Sequence, residues 1–217
     1  MDPAQPRLLL TGFEPFGGES QNPSAEVVRA LHGRTVGAVQ VVSLVLPCVF
    51  GQSLSWLRAA LAEHRPLLVL ALGQAAGQAE LAIERVAINL DDARVADNAG
   101  AQPIDEAVVR GAPAAYFSTL PIKAMAAALQ QAGFPAAVSH SAGTFVCNHV
   151  FYGLQHALAG SGVRSGFMHL PLLPEQAARL GGGPSLPLQT QMAGVALALH
   201  VALHTREDAR HSTGTLS

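Results

Sequence analysis

The stretch SHSAGTFVCNHVFYG, Ser139 to Gly153, sets a cysteine between a glycine-containing approach and the first turn of an expected helix. A thiol at a helix N-terminus meets unpaired backbone N–H groups and the positive end of the helix dipole, which favour thiolate and can also hold a developing oxyanion. Cys147 is therefore a candidate nucleophile. Such a thiol needs an imidazole about 3 Å away whose other ring nitrogen is oriented by a third group. His149 is closest in sequence, but residues i and i+2 point to different faces of a helix. His169, set in the otherwise apolar FMHL near the end of an expected strand, is the better base. Glu84 in AIERVAINLDD is a candidate for the orienting acid, and an ion pair with a neighbouring arginine is its plain structural alternative. Asp91, Asp92 and Asp97 are further candidates, although their Asp- and Asn-rich setting suits turn capping. The residues alone propose a Cys-His-acid site and leave the choice of acid open.

The other cysteine, Cys48 in VLPCVF, lies among apolar neighbours and reads as packing. With 2 cysteines in 217 residues there is no disulfide framework, and a reducing cytoplasmic compartment is expected. A net charge of -2 and a single lysine, Lys123, give no basic stripe for nucleic acid and no electrostatic membrane anchor. MDPAQPRLLLTGF lacks the basic leader and apolar core of an export signal, and no apolar run approaches the roughly 18 residues of a spanning helix. His200 and His204 have i,i+4 spacing but no nearby Cys or acid ligand, so no metal is expected. FEPFGG lacks the G-x-G-x-x-G spacing and AGTFVCN lacks G-x-S-x-G, which argues against a dinucleotide cofactor and a serine-hydrolase elbow. No cofactor of any kind is expected.

The elements that must position these groups follow from periodicity and punctuation. RLLLTG, AVQVVSLVLP, LLVLALG, PAAVSH and RSGFMHL read as strands, the third as a continuous apolar run typical of a central parallel strand. Helices are expected after Asn22-Pro23, where an N-cap precedes proline at the first helical position, across FGQSLSWLRAALAEHRP, PIKAMAAALQQAG and CNHVFYGLQHALAG, and in LPLQTQMAGVALALHVALHT. PEQAARLGGGPS suits a brief helix or turn. Gln74 to Thr119 is mostly loop in this reading, with VAINL as a short strand. The alternation predicts an α/β fold, a three-layer α/β/α sandwich around a twisted, mostly parallel or mixed sheet, as one domain over 1–217 with a disordered C-terminal tail from about residue 206. In such folds the ligand crevice lies beyond the carboxyl ends of the strands. FEPFGG, GQAAG, AGTFVC and His169 each sit at such an end, so four strand ends are expected to converge.

The chain also resembles the pyroglutamyl-peptidase type I family, cysteine peptidases that remove N-terminal pyroglutamate from peptides. The matching segments are LLTGFEPFGG with downstream NPS, LGQAAG, ERVAINLDDARVADNAG, GAPAAYFSTLPIK, SAGTFVCNHVFYGL and GFMHLPLLPEQ, in the family's order from Leu9 to Gln176. The resemblance implies Cys147 as nucleophile, His169 as general base and then acid, and Glu84 as the residue that orients the histidine. It implies ring contacts from Phe13 and Phe16. A neutral lactam calls for flat apolar walls and a few donors and acceptors. Gln74, Phe145 and Val146 are the further candidates for that pocket, Arg85 is a supporting candidate, and Glu14 is expected to turn away. The implied partners are peptides with N-terminal pyroglutamate and further copies of the chain in a homo-oligomer, often a tetramer. Two departures stand out: Ile83 where the family commonly has proline, and Ala76 where it has glycine. A thiol-dependent esterase or amidase for another acyl group, and a non-enzymatic ligand-binding relative, are the competing readings.

Overall fold

Alternating apolar residues send each central strand into two cores at once. In the computed structural model, which describes residues 5–214, the chain runs β1 (Arg7–Phe13), α1 (Pro23–Leu31), β2 (Thr35–Val36), β3 (Val39–Leu46), α2 (Gln52–His64) and β4 (Leu68–Gln74). It continues through β5 (Leu81–Glu84), β6 (Val86–Ile88), β7 (Ala115–Phe117), α3 (Ile122–Gln131), β8 (Ala136–Ser139), α4 (Val146–Leu158), β9 (Arg164–Leu170), α5 (Pro174–Arg179) and α6 (Leu188–His204). Seven strands make one mixed sheet in the order β2-β3-β1-β4-β9-β5-β8, while β6 and β7 form a separate antiparallel pair. Leu68, Leu70 and Leu72 of β4 join Met168 and Leu170 of β9 under α1, α3 and α6. Val69 and Ala71 face the other way, with Phe167, into the core that α2 and α4 close. This is the three-layer α/β/α sandwich expected, with a mixed sheet.

Local signals explain the first crossover. Asn22 Oδ1 accepts hydrogen bonds from the Ser24 amide at 3.0 Å and the Ser24 hydroxyl at 2.8 Å, and Pro23 opens α1. That cap is worth about 1 kcal/mol. The Ser24 hydroxyl oxygen in turn accepts the Phe13 amide, tying the helix to the end of β1. Gly12 makes the approach possible, because a Cβ there would lie 2.5 Å from the Ser24 carbonyl oxygen.

One expectation is corrected. The carboxyl ends of β1, β4 and β9 do lie together, since these strands are parallel neighbours. β5, however, runs antiparallel to β9, and β8 runs parallel to β5, so the end of PAAVSH points away from that rim. The polypeptide turns back through residues 140–145, and α4 rather than β8 delivers Cys147. The described part of the tail after α6 has no helix or strand and is tied to α3, while residues 215–217 of the expected tail lie outside the described residues. Asp208 accepts from the Lys123 and Ala124 amides at the start of α3, and Lys123 Nζ donates to the His211 carbonyl. α3 begins on Pro121 and has no side-chain cap of its own, so the tail supplies one.

β2, β5 and β7 are additions to the sequence reading, each two to four residues long. The 89–114 loop between β6 and β7 is pinned to α4: the fully buried Asn148 accepts from the Ile88 amide and donates to the Ile88 and Leu90 carbonyls, and Tyr152 donates to the Pro113 carbonyl. Among the described residues no helix is long and apolar enough to cross a membrane.

Candidate active site

Period-two alternation in β5 and β9 places Glu84 and His169 on one face of the sheet. Ala82 pairs with His169 across the antiparallel ladder, so Glu84, two residues on, reaches His169 along the diagonal. Glu84 is fully buried, and its Oε1 accepts a hydrogen bond from His169 Nδ1 at 2.7 Å. A carboxylate partner fixes the proton on Nδ1 and leaves the Nε2 lone pair free to take another. Glu84 has no arginine partner among the described residues, and its Oε2 meets no protein donor.

Cys147 is the second residue of α4, whose N-cap Phe145 offers no side chain to the free amides of the first turn. Its sulfur lies over Gly73: a Cβ built there would be 2.8 Å from Cys147 Sγ and 2.8 Å from Phe167 Cζ. Gly73 is the register partner of His169 on the adjacent strand, and the Phe167 and His169 rings are 4.9 Å apart. Thiol, imidazole and carboxylate therefore occupy one patch of one sheet face.

Packing opposes the expected bias of Cys147 toward thiolate. Burial pushes the thiol well above its ordinary range, and the nearby Cys48 and Glu84 add to the effect. A helix N-terminus acts the other way, but its influence is modest beside desolvation. Burial therefore favours the thiol form of Cys147 over the thiolate. Cys48 is pushed up to about 12, by burial first and then by Glu14 and Asp97.

His149 forms a second, separate pair. Its Nδ1 donates to Asp91 Oδ2 at 2.7 Å and its Nε2 accepts the Gly51 amide at 2.9 Å, so both ring nitrogens are engaged. Asp97 accepts three backbone amides, from Phe50, Ala99 and Ala101, which is turn capping. Of the candidate acids, only Glu84 touches His169. Among the described residues no three metal-ligating side chains cluster, and His200 and His204 lie with their rings 4.3 Å apart on α6.

The expected pocket residues divide by depth. Phe13 is buried against Phe167, with ring centroids 6.4 Å apart, and lies beneath the site. Phe16 and Phe145 are partly exposed and face each other at 5.9 Å. Val146 is fully buried, so only its main chain is available to a ligand. Gln74 closes β4 at the rim, and its Oε1 accepts from Gln176 Nε2. Glu14 accepts the Cys48 amide and the Asn98 side chain, turned from the aromatic wall as expected. Arg85 faces elsewhere: it donates to Thr213 and lines a separate cavity of about 280 Å³ with Ser118 and Arg206. Ile83 is buried and continues the β5 ladder, and Ala76 is exposed without a positive φ, so neither departure disturbs the site.

Phe50 was not singled out by the sequence reading. Its ring meets Phe145 edge-on at 5.5 Å and His149 at 5.3 Å, extending the wall. Its place in PCVFGQ, between the end of a strand and a helix-starting glycine, is the signal that marks it as a rim residue. Gln176 and Asn148 gave no such signal, because most of their partners lie far away in sequence.

An α/β sandwich with a buried carboxylate–imidazole pair beside a helix-terminal thiol is the architecture of a thiol-dependent hydrolase. The comparisons with known proteins narrow the class. Residues 6–205 match the family model described as pyroglutamyl peptidase, and the chain belongs to that family. It is 58% identical to a pyrrolidone-carboxylate peptidase of Cupriavidus taiwanensis, over 97% of this chain and 99% of that one. A Vibrio vulnificus protein of the same name is 51% identical over 97% and 99%. The crystal structure of Bacillus amyloliquefaciens pyroglutamyl peptidase I superposes with a TM-score of 0.91 at 44% identity, covering 94% of this chain and 100% of that chain. A Pyrococcus furiosus pyrrolidone carboxyl peptidase mutant gives 0.88 at 42% identity, covering 91% and 98%.

Proposed function

We propose that the protein is a cysteine peptidase that hydrolyses the amide bond after an N-terminal pyroglutamyl residue and releases free pyroglutamate. The observation that carries this reading is the buried Glu84–His169 pair beside Gly73, the glycine on which the sulfur of Cys147 rests, in a chain of this family. Phe16 and Phe145 supply flat apolar surface at the rim, as a neutral ring requires.

As the sulfur attacks the pyroglutamyl carbonyl carbon and forms the C–S bond, the thiol proton moves to His169 Nε2. The free amides at the start of α4 hold the oxyanion; one such donor is worth about 2.7 to 4 kcal/mol of barrier. Collapse breaks the C–N bond, and the imidazolium gives its proton to the departing amine. Glu84 stabilises the imidazolium between these transfers. A water then gives a proton to Nε2 and adds to the thioester, and the returning proton restores the thiol as pyroglutamate leaves.

Homo-oligomerisation and a cytoplasmic location are further parts of the proposal. A charged fraction of only 13% and exposed Trp56 and Phe117 support the first, and two free thiols support the second. The assay that tests the activity compares a pyroglutamyl amide with the matching prolyl amide, which lacks the lactam carbonyl and carries a protonated ring amine. A strong preference for the pyroglutamyl compound is expected; equal turnover, or none, contradicts the reading.

A further inference from the structure

His149 is buried in the first turn of α4, and a main-chain group decides which of its ring nitrogens carries the proton. A backbone N–H only donates, so Nε2, which receives the Gly51 amide at 2.9 Å, is the bare nitrogen. The proton then sits on Nδ1, 2.7 Å from Asp91 Oδ2. The ring is thereby clamped between two segments. Asp91 belongs to the loop between β6 and β7, where its backbone exchanges two hydrogen bonds with Glu106, at 2.7 and 3.0 Å. Gly51 is the turn that starts α2, with φ at 70°. Phe50 precedes it, and its amide donates to Asp97 Oδ2 at 2.8 Å. His149 and Phe145 stand one helical turn apart on the same face of α4, and the Phe50 ring meets both edge-on, with centroids 5.3 Å from the imidazole and 5.5 Å from Phe145. Phe145 in turn faces Phe16 at 5.9 Å and lies two residues before Cys147.

We infer that His149 is a positioning residue: by holding the Gly51 turn it keeps the Phe50 ring against Phe145, and so sets the spacing between Phe145 and Phe16 that receives the lactam ring. The inference rests on the pyroglutamyl reading above and deepens it by naming what fixes the aromatic wall. His149 touches no reacting atom, since both of its nitrogens are engaged, and it acts through Phe50. A wall that must be reordered each time a ring enters costs binding free energy in the ground state and the transition state alike, so its loss falls on KM rather than kcat.

The test is a double-mutant cycle on a pyroglutamyl amide. His149→Leu removes both hydrogen bonds and keeps apolar bulk, so the Gly51 turn and Phe50 are released. KM should rise about tenfold with a much smaller change in kcat, a loss of about 1.4 kcal/mol in binding. His149→Gln, which offers an oxygen to the Gly51 amide and an NH₂ to Asp91, should restore most of the affinity. Phe50→Leu should raise KM to a similar degree, and the variant carrying both His149→Leu and Phe50→Leu no further. An unchanged KM in His149→Leu, no recovery in His149→Gln, effects that multiply in the double variant, or a fall in kcat at constant KM would overturn the assignment, while an active wild type left the functional reading standing. An inactive wild type would strike that reading and this inference together. Should His149→Leu not fold, because it strands the buried Asp91 carboxylate, Phe50→Leu decides. It leaves both hydrogen bonds of His149 in place, and an unchanged KM there refutes the proposal.

Discussion

Gly73 shows how a missing side chain can build a site. The sulfur of Cys147 occupies the space where a Cβ would stand, between β4 and the Phe167 ring, so the thiol settles onto the strand beside His169. Gly73→Ala would place a methyl group 2.8 Å from both Sγ and Phe167 Cζ, and one of them must move. The backbone there has no positive φ, so the fold should survive the change. A misplaced nucleophile costs about 10²-fold, so kcat on a pyroglutamyl amide should fall by that order while the thermal midpoint changes little. Cys48 supports a different prediction. Its thiol pKa rises from 9.0 to about 12 in the fold, chiefly through burial. Between those values the unfolded chain has released this proton and the folded one has kept it, so folding stability is lost as pH rises through the window. Denaturant unfolding of Cys48→Ala should show a shallower alkaline loss of stability than wild type; parallel curves would contradict the assigned burial effect.

Among the elements, α3 depends on a distant residue for its N-terminus. Asp208 accepts the Lys123 and Ala124 amides from beyond the end of α6. Asp208→Ala should destabilise by about 1 kcal/mol in urea unfolding, and Asp208→Asn, which keeps one of the two acceptor oxygens, should recover only part of it. The long elements were legible because each carries its own punctuation, as in the Asn22-Pro23 start of α1 and the apolar run of β4. The expected Cys147, His169 and Glu84 were legible as residue types, and Glu84 and His169 meet as the resemblance implied. What escaped was direction and distant pairing. LAIE is too short to announce a strand, and nothing in it says that β5 runs against β9. The hold of Asp208 on α3 spans 84 residues or more, and Gln176 reaches Gln21 across 155, beyond any local pattern. The thiol's raised pKa escaped for a related reason: the helix start is visible in sequence, but the packing around the sulfur is not.

At the scale of the whole molecule, a sheet with helices on both faces leaves few places for polar chemistry inside. The Glu84–His169 and Asp91–His149 hydrogen-bonded pairs are the most buried carboxylate–imidazole pairs among the described residues. The second is closed by the Gly51 amide, whereas His169 Nε2 has no hydrogen-bond partner among the described residues. That difference separates a structural histidine from one able to carry a proton. Outside the core, Trp56, Ile104 and Phe117 are 47%, 71% and 68% exposed, apolar area consistent with association between copies. Sedimentation velocity of the purified protein should therefore give a mass that is a multiple of 22.5 kDa, and a monomer at micromolar concentration would contradict that expectation. The proposed chemistry turns on the sulfur at position 147. Hydrolysis of a pyroglutamyl amide should be rapid in wild type, retained in Cys48→Ala and reduced to a trace in folded Cys147→Ala. Full turnover in Cys147→Ala would contradict it.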